Sequence, residues 1–171
     1  MKIRIAALAL IVPVLFVAGI GGAMAFNLWS TVSSKEPATF ASGEFAGVAN
    51  PADLRGSYSL ADIEKAYGVP VDALARAFGV TAGLAGDAGP AAYQVKNVEG
   101  LYEGLSDDLE IGTDSVRWFV ALYASLPYEP QEGTGLPNAA IPVLREKGVE
   151  AGALDRARAA VVELPGVAQV P

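Results

Sequence analysis

Four carboxylates within eight residues, Asp107, Asp108, Glu110 and Asp114, form the densest group of side chains in this chain with the means to do chemistry. Oxygen ligands of this kind suit calcium or magnesium. Their spacing is not that of an EF-hand loop, which alternates its ligands around a central Gly and ends on a Glu. The expectation is a solvated acidic loop with Asp114 near a helix N-terminus, where a carboxylate is favoured by the helix dipole. Whether Asp107–Glu110 takes a cation is left open by the spacing. Glu64 and Glu99 recur at matching positions and invite a paired-carboxylate reading, but they more simply lie at helix boundaries or pair with neighbouring Lys or Arg. Tyr58, Tyr67, Tyr93 and Tyr102 also recur in pattern and are expected to pack rather than to catalyse.

The 171 residues include no Cys and no His. The usual ligands of structural zinc, iron–sulfur clusters and covalently attached haem are therefore missing, as are thiol nucleophiles and imidazole bases. Neither a Gly-rich phosphate loop nor a G-x-S-x-G elbow occurs. No catalytic residue, metal or cofactor is expected from the sequence.

The elements that position these groups read as an all-α chain: one N-terminal transmembrane helix, then a small domain of three helix-turn-helix-like units. Tyr58, Leu60, Ile63, Glu64 and Tyr67 recur 35 residues later as Tyr93, Val95, Val98, Glu99 and Tyr102. The apolar members and the second Tyr lie three or four apart, on one helical face. Ser59 is a natural N-cap, with Asp62 in the first turn. Gly68 stops one helix, Pro70 opens the next and Gly79 stops it. Gly148–Ala157 repeats Gly68–Ala77 at Gly, Val, Ala, Leu, Arg and Ala. A short helix is expected over Pro137–Lys147 before that copy, and another over Arg156–Leu164 after it.

In the middle unit Thr113 or Asp114 is expected to cap a helix running to about Leu126. Val116, Phe119, Val120 and Tyr123 form one stripe of it and Trp118, Leu122 and Leu126 a second, as a buried central helix requires. Such units cannot bury their apolar faces singly but do so when stacked. Helix-turn-helix spacing also raises DNA binding. The net charge is −7, and two of the 12 basic residues precede the apolar run described next, leaving ten against 19 acidic ones. No nucleic-acid partner is expected.

From Ile5 to Phe26 the chain runs 22 residues without a charge, behind Lys2 and Arg4. A helix of that length reaches about 33 Å, enough to cross a hydrocarbon core of about 30 Å. Residues 1–26 are read as a transmembrane anchor or uncleaved signal, with Trp29 at headgroup level. Ala23-Met24-Ala25 also fits a signal-peptidase site, the alternative. Both readings export the remainder: N-terminus cytoplasmic, C-terminal domain extracytoplasmic (periplasmic), single pass in the cell membrane, with the bilayer as one partner. Ala18, Gly19, Gly22 and Ala23 put small residues four apart, a face that lets a second membrane helix approach. Residues 27–56 read as a juxtamembrane linker, 57–165 as the helical domain and 166–171 as a tail. Phe40 and Phe45 stand out in the linker as docking aromatics, against a partner or against the domain itself.

Tyr58-Ser59-Leu60-Ala61-Asp62-Ile63-Glu64-Lys65-Ala66-Tyr67-Gly68-Val69-Pro70-Val71-Asp72-Ala73-Leu74 resembles the small helical domains appended to polytopic iron–sulfur membrane proteins of the quinol-oxidising, ferredoxin-like type. Ile111-Gly112-Thr113-Asp114-Ser115-Val116-Arg117-Trp118-Phe119-Val120-Ala121-Leu122-Tyr123, with Leu126-Pro127-Tyr128, is similar to the second part of such tails. The cluster-binding cysteines of those proteins are absent here. The resemblance implies a partner of a membrane redox complex rather than its redox centre. The first stretch also resembles a LysM module, L-x-x-I-x-x-x-Y-G-V-x-x-x-x-L, through Leu60, Ile63, Tyr67-Gly68-Val69 and Leu74. That resemblance implies binding of cell-wall glycan; Thr81–Asp87 lacks the P-G-Q-x-L closing strand of such modules. The expected function is a non-catalytic, membrane-anchored accessory or scaffolding subunit among the integral membrane subunits of an electron-transfer complex. The alternative is a wall-glycan-binding module.

Overall fold

The computed structural model describes residues 35–163 and, ahead of them, Val14, a helical residue. By its internal contacts the chain divides into Met1–Ser34 and Lys35–Pro171. The second unit is mostly helical: α1 Leu60–Tyr67, α2 Val71–Phe78, α3 Ala82–Ala85, α4 Glu99–Tyr102, α5 Thr113–Ala124, α6 Ala140–Lys147 and α7 Ala151–Arg158. Short 3-10 turns stand at Pro51–Asp53, Gly86–Ala88, Pro90–Ala92 and Val95–Asn97. Two strands, β1 Leu136–Pro137 and β2 Val161–Val162, pair in parallel. Among the described residues no helix is long and apolar enough to cross a membrane. Apart from Val14, the apolar run 5–26 lies outside them, as does the tail 166–171.

The first helix pair forms through the signals that the sequence carries. Ser59 Oγ accepts the Asp62 amide at 3.2 Å while the Asp62 carboxylate accepts the Ser59 amide at 2.8 Å, a reciprocal cap that satisfies two orphan donors. Gly68 ends α1 in the left-handed region at φ +68°, where a Cβ is disfavoured. Pro70 is the N-cap of α2, and the Glu64 carboxylate turns back to accept the Val71 amide at 3.2 Å. Glu64 itself lies inside α1, and it is its carboxylate that reaches the boundary, capping the start of α2. The pair α6–α7 repeats this plan around a left-handed Gly148.

Three local expectations shift. The helix expected from Pro137 begins at Ala140, because Leu136–Pro137 is a strand. The helix expected over Arg156–Leu164 ends at Arg158, and Val161–Val162 join β1 instead. Neither Thr113 nor Asp114 caps α5: Gly112 holds the cap position, and the buried Ser115 hydroxyl accepts the Gly112 amide at 3.1 Å.

α5 runs through the core. Val116, Phe119 and Val120 are fully buried, and Trp118 is 8% exposed. Phe119 meets the edge of Phe78 from α2, centroids 5.5 Å apart at 79°, and lies 5.9 Å from Tyr123 on its own helix. Edge-to-face rings gain quadrupole attraction beyond their burial. α6 packs against both α2 and α5, so it joins the first pair to the central helix. Leu54, inside the stretch read as linker, is also fully buried in this core.

The two Tyr-bearing repeats meet at their beginnings. Leu60 donates its amide to Tyr93 O at 3.1 Å, and Val95 donates to Tyr58 O at 2.9 Å. Because Tyr58 matches Tyr93 and Leu60 matches Val95, equivalent groups exchange equivalent bonds across an antiparallel bridge at Ser59 and Gln94. The copies then diverge. Leu60–Tyr67 forms two turns of α-helix, whereas Val95–Tyr102 splits into a 3-10 turn and the one-turn α4. Gln94 and Asn97 stand where the first copy has its capping pair, Ser59 and Asp62. Gly100 replaces Lys65, a better helix former.

Candidate functional site

The acidic cluster does not converge. Asp107, Asp108 and Glu110 are exposed, while Asp114 turns inward from the first turn of α5. Its carboxylate accepts the Thr134 hydroxyl at 2.8 Å, the Gln131 amide at 2.9 Å and the Tyr128 hydroxyl. Arg117, one turn on, reaches the same carboxylate at 3.5 Å and donates Nε to Leu54 O at 2.8 Å. Asp114 and Arg117 thus join three pieces of chain: α5, the loop after it, and the segment that enters the first helix pair. Burial opposes the charged carboxylate of Asp114. The bonds from Tyr128, Gln131 and Thr134 and the charge of Arg117 outweigh that, so its pKa lies below the ordinary aspartate value. Burial first, and the bonded Asp114 second, push the Tyr128 hydroxyl up to about 12. Among the described residues no group of three or more carboxylates is placed to hold a metal ion.

The loop that Asp114 pins lies beside the acidic loop. Glu110 donates its amide to Gly133 O at 2.8 Å and accepts from the Gly135 amide at 2.9 Å. A Cβ at Gly135 would stand 3.2 Å from both Ile111 Cδ1 and Leu109 Cβ, close enough that these side chains would have to give by a few tenths of an ångström. Glu129 and Glu132 on this loop are exposed like Glu103, Asp107, Asp108 and Glu110, and neither loop carries a Lys or Arg. Only the first of these loops stands out in the sequence. Pairing between residues more than 20 apart leaves no local signal.

The four tyrosines are packing residues. Tyr58 and Tyr102 are buried, and Tyr67 and Tyr93 pack against the core. Tyr102 donates to Phe78 O at 3.2 Å, which ties the middle unit to the end of α2. Tyr67 donates to Asn50 O at 3.1 Å and Tyr93 to Asn97 O at 3.0 Å. Burial moves the Tyr67 pKa far up, and that of Tyr102 to about 12, as closed aromatic positions require.

Phe40 and Phe45 belong to a small hairpin. Phe40 donates its amide to Val48 O and Asn50 donates to Ala38 O, at 2.9 and 2.8 Å, and Gly43 and Gly47 turn the tip with positive φ. The two rings lean on each other at 6.0 Å between centroids and are half-buried, outside the hydrophobic core. The base of the hairpin is fastened to the domain. Lys35 Nζ pairs with Asp62 at 2.7 Å, and the Ala38 amide donates to Asp53 at 2.8 Å. The small-residue face of Ala18, Gly19, Gly22 and Ala23 lies outside the described residues. Compared with known proteins, the chain matches no family model, no curated protein and no solved structure.

Proposed function

We propose that the protein is a non-catalytic accessory or scaffolding subunit, anchored in the cell membrane by residues 5–26 and exposing its helical domain on the outer side. The observation that carries this reading is how the domain employs its reactive side chains. Asp114, Arg117, Tyr128 and Thr134 clamp a loop to the core helix; Asp62 and Glu64 cap helices; Tyr67 and Tyr102 close seams between segments. The surface carries, among other features, a pair of acidic loops and the hairpin with its two half-buried rings, features suited to contact. The anchor comes from the charge-free run behind Lys2 and Arg4, and the electron-transfer setting from the resemblance carried by Tyr58–Leu74 and Ile111–Tyr128. In this reading the transmembrane helix precedes three stacked helical units, the middle one modified, and its partners are integral membrane subunits.

A tag at the C-terminus is expected to react with a membrane-impermeant reagent once the outer surface of the cell membrane is accessible. A tag that reacts only after the membrane is opened from the cytoplasmic side overturns the topology.

One observation favours a second reading, binding of wall glycan. The antiparallel bridge between Ser59 and Gln94 puts an extended segment on each side of the α1–α2 pair, the order of elements that LysM modules use. The closing segment sits at 93–95 rather than at Thr81–Asp87. Saturable binding of the protein to peptidoglycan would favour this reading.

A further inference from the structure

We infer that residues 35–49 form a strap that opens apart from the rest of the domain, hinged at Asn50, and that the Tyr58 hydroxyl it covers favours the opening. Tyr58 is 1% exposed, and its Oη has no hydrogen-bond partner among the described residues. Tyr67, Tyr93 and Tyr102 each close on a backbone carbonyl, so Tyr58 is the exception among the four matched tyrosines. A buried hydroxyl without a partner forfeits the bonds it would make to water, and it regains them when its cover lifts.

The charged groups that face this hydroxyl place it under the strap. They are Asp53 and Arg55 just past the hinge, Asp62 from α1 and Glu36 from the strap itself. Asp53 and Asp62 are also carboxylates to which the strap is fastened, through the Ala38 amide at 2.8 Å and Lys35 Nζ at 2.7 Å.

Little holds the strap down. No residue from 35 to 49 is buried, and none packs against the hydrophobic core. The Lys35 side chain is 43% exposed, so its ion pair with Asp62 contributes little. Neither carboxylate is stranded when the strap leaves: Asp62 keeps the Ser59 amide and hydroxyl, and Asp53 keeps Arg55. The hairpin bonds, from Phe40–Val48 to Asn50–Ala38, lie within the strap or at its hinge and travel with it. Asn50 stays behind, since its carbonyl accepts the Tyr67 hydroxyl and its side chain caps the turn at Pro51–Asp53. A segment with so few buried contacts opens at a lower free energy than the whole fold. Opening bares the Tyr58 hydroxyl beside the freed carboxylates of Asp53 and Asp62, a polar face that the closed domain hides.

Amide exchange, read residue by residue by NMR on the full-length protein in detergent micelles, tests the strap. Ala38 N–H bonds Asp53 in the closed state, whereas Phe119 N–H lies in the middle of the buried α5. Ala38 is expected to be protected many-fold less than Phe119. Tyr58→Phe removes the hydroxyl and keeps the ring, and is expected to raise protection at Ala38 by about fivefold or more while leaving Phe119 unchanged. Lys35→Met is expected to lower protection at Ala38 and to leave Phe119 unchanged. Equal protection at Ala38 and Phe119 in the wild type overturns the separate opening. Protection at Ala38 that Tyr58→Phe leaves unchanged or lowers overturns the part given to the hydroxyl. A Tyr58→Phe gain as large at Phe119 as at Ala38 overturns it equally, since the hydroxyl then weighs on the whole domain rather than on the strap.

Discussion

Phe119→Ala is expected to lower the unfolding midpoint furthest. The ring is fully buried, meets Phe78 edge-on at 5.5 Å and contacts Tyr123 at 5.9 Å. Emptying a buried Phe site costs about 3–5 kcal/mol, because transfer energy is lost and the cavity closes only in part. The aromatic geometry adds about 0.5–1.5 kcal/mol. Against a typical domain stability of about 5–15 kcal/mol, that is a large share. Trp118→Ala is expected to follow closely, its side chain being 8% exposed on the same helix. Thermal unfolding followed by circular dichroism checks both. If Trp118→Ala left the midpoint unchanged and instead released the protein from its partner, core and interface would have to be exchanged.

Asp114→Ala is expected to produce the second largest loss, about 2–4 kcal/mol, by stranding Tyr128, Thr134, the Gln131 amide and Arg117 together. The loop at 127–135 should loosen with it, visible as faster amide exchange at Gln131. The effect carries a pH signature. The folded-state pKa of Asp114 lies below its unfolded value of about 3.9, so its contribution is complete above that value and disappears as pH falls through the folded pKa. The gap in stability between wild type and Asp114→Ala is therefore constant near neutrality and narrows below about pH 4. A gap that stays constant down to about pH 2 would show that the carboxylate charge plays no part in the clamp.

The parts of this fold legible in sequence are those with local causes. Ser59 and Asp62 announce a cap, Gly68 and Gly79 announce left-handed stops, and apolar residues around most of α5 announce burial. The parts that stay hidden depend on distant partners. β1 and β2 are two residues long, too short for any alternation, and Val161–Val162 become a strand because Ala160 O and Val162 O accept from Leu136 and Asn138. The hairpin lies in a segment rich in Ser, Ala and Gly, where Gly43 and Gly47 look like linker composition rather than turn positions. At the candidate site, Asp114 is visible as a first-turn carboxylate. Its partners Tyr128, Gln131 and Thr134 are 14, 17 and 20 residues away and carry no motif. The matched tyrosines read as packing from their spacing alone, and their hydroxyls supply the detail that periodicity does not: each of Tyr67, Tyr93 and Tyr102 closes on a backbone carbonyl.

Purification of the full-length protein from its native membrane in mild detergent tests the proposed role most directly. The protein is expected to leave the membrane only with detergent and to bring integral membrane subunits with it in fixed proportion. A protein recovered without detergent, or recovered alone and retained on peptidoglycan, would contradict that role.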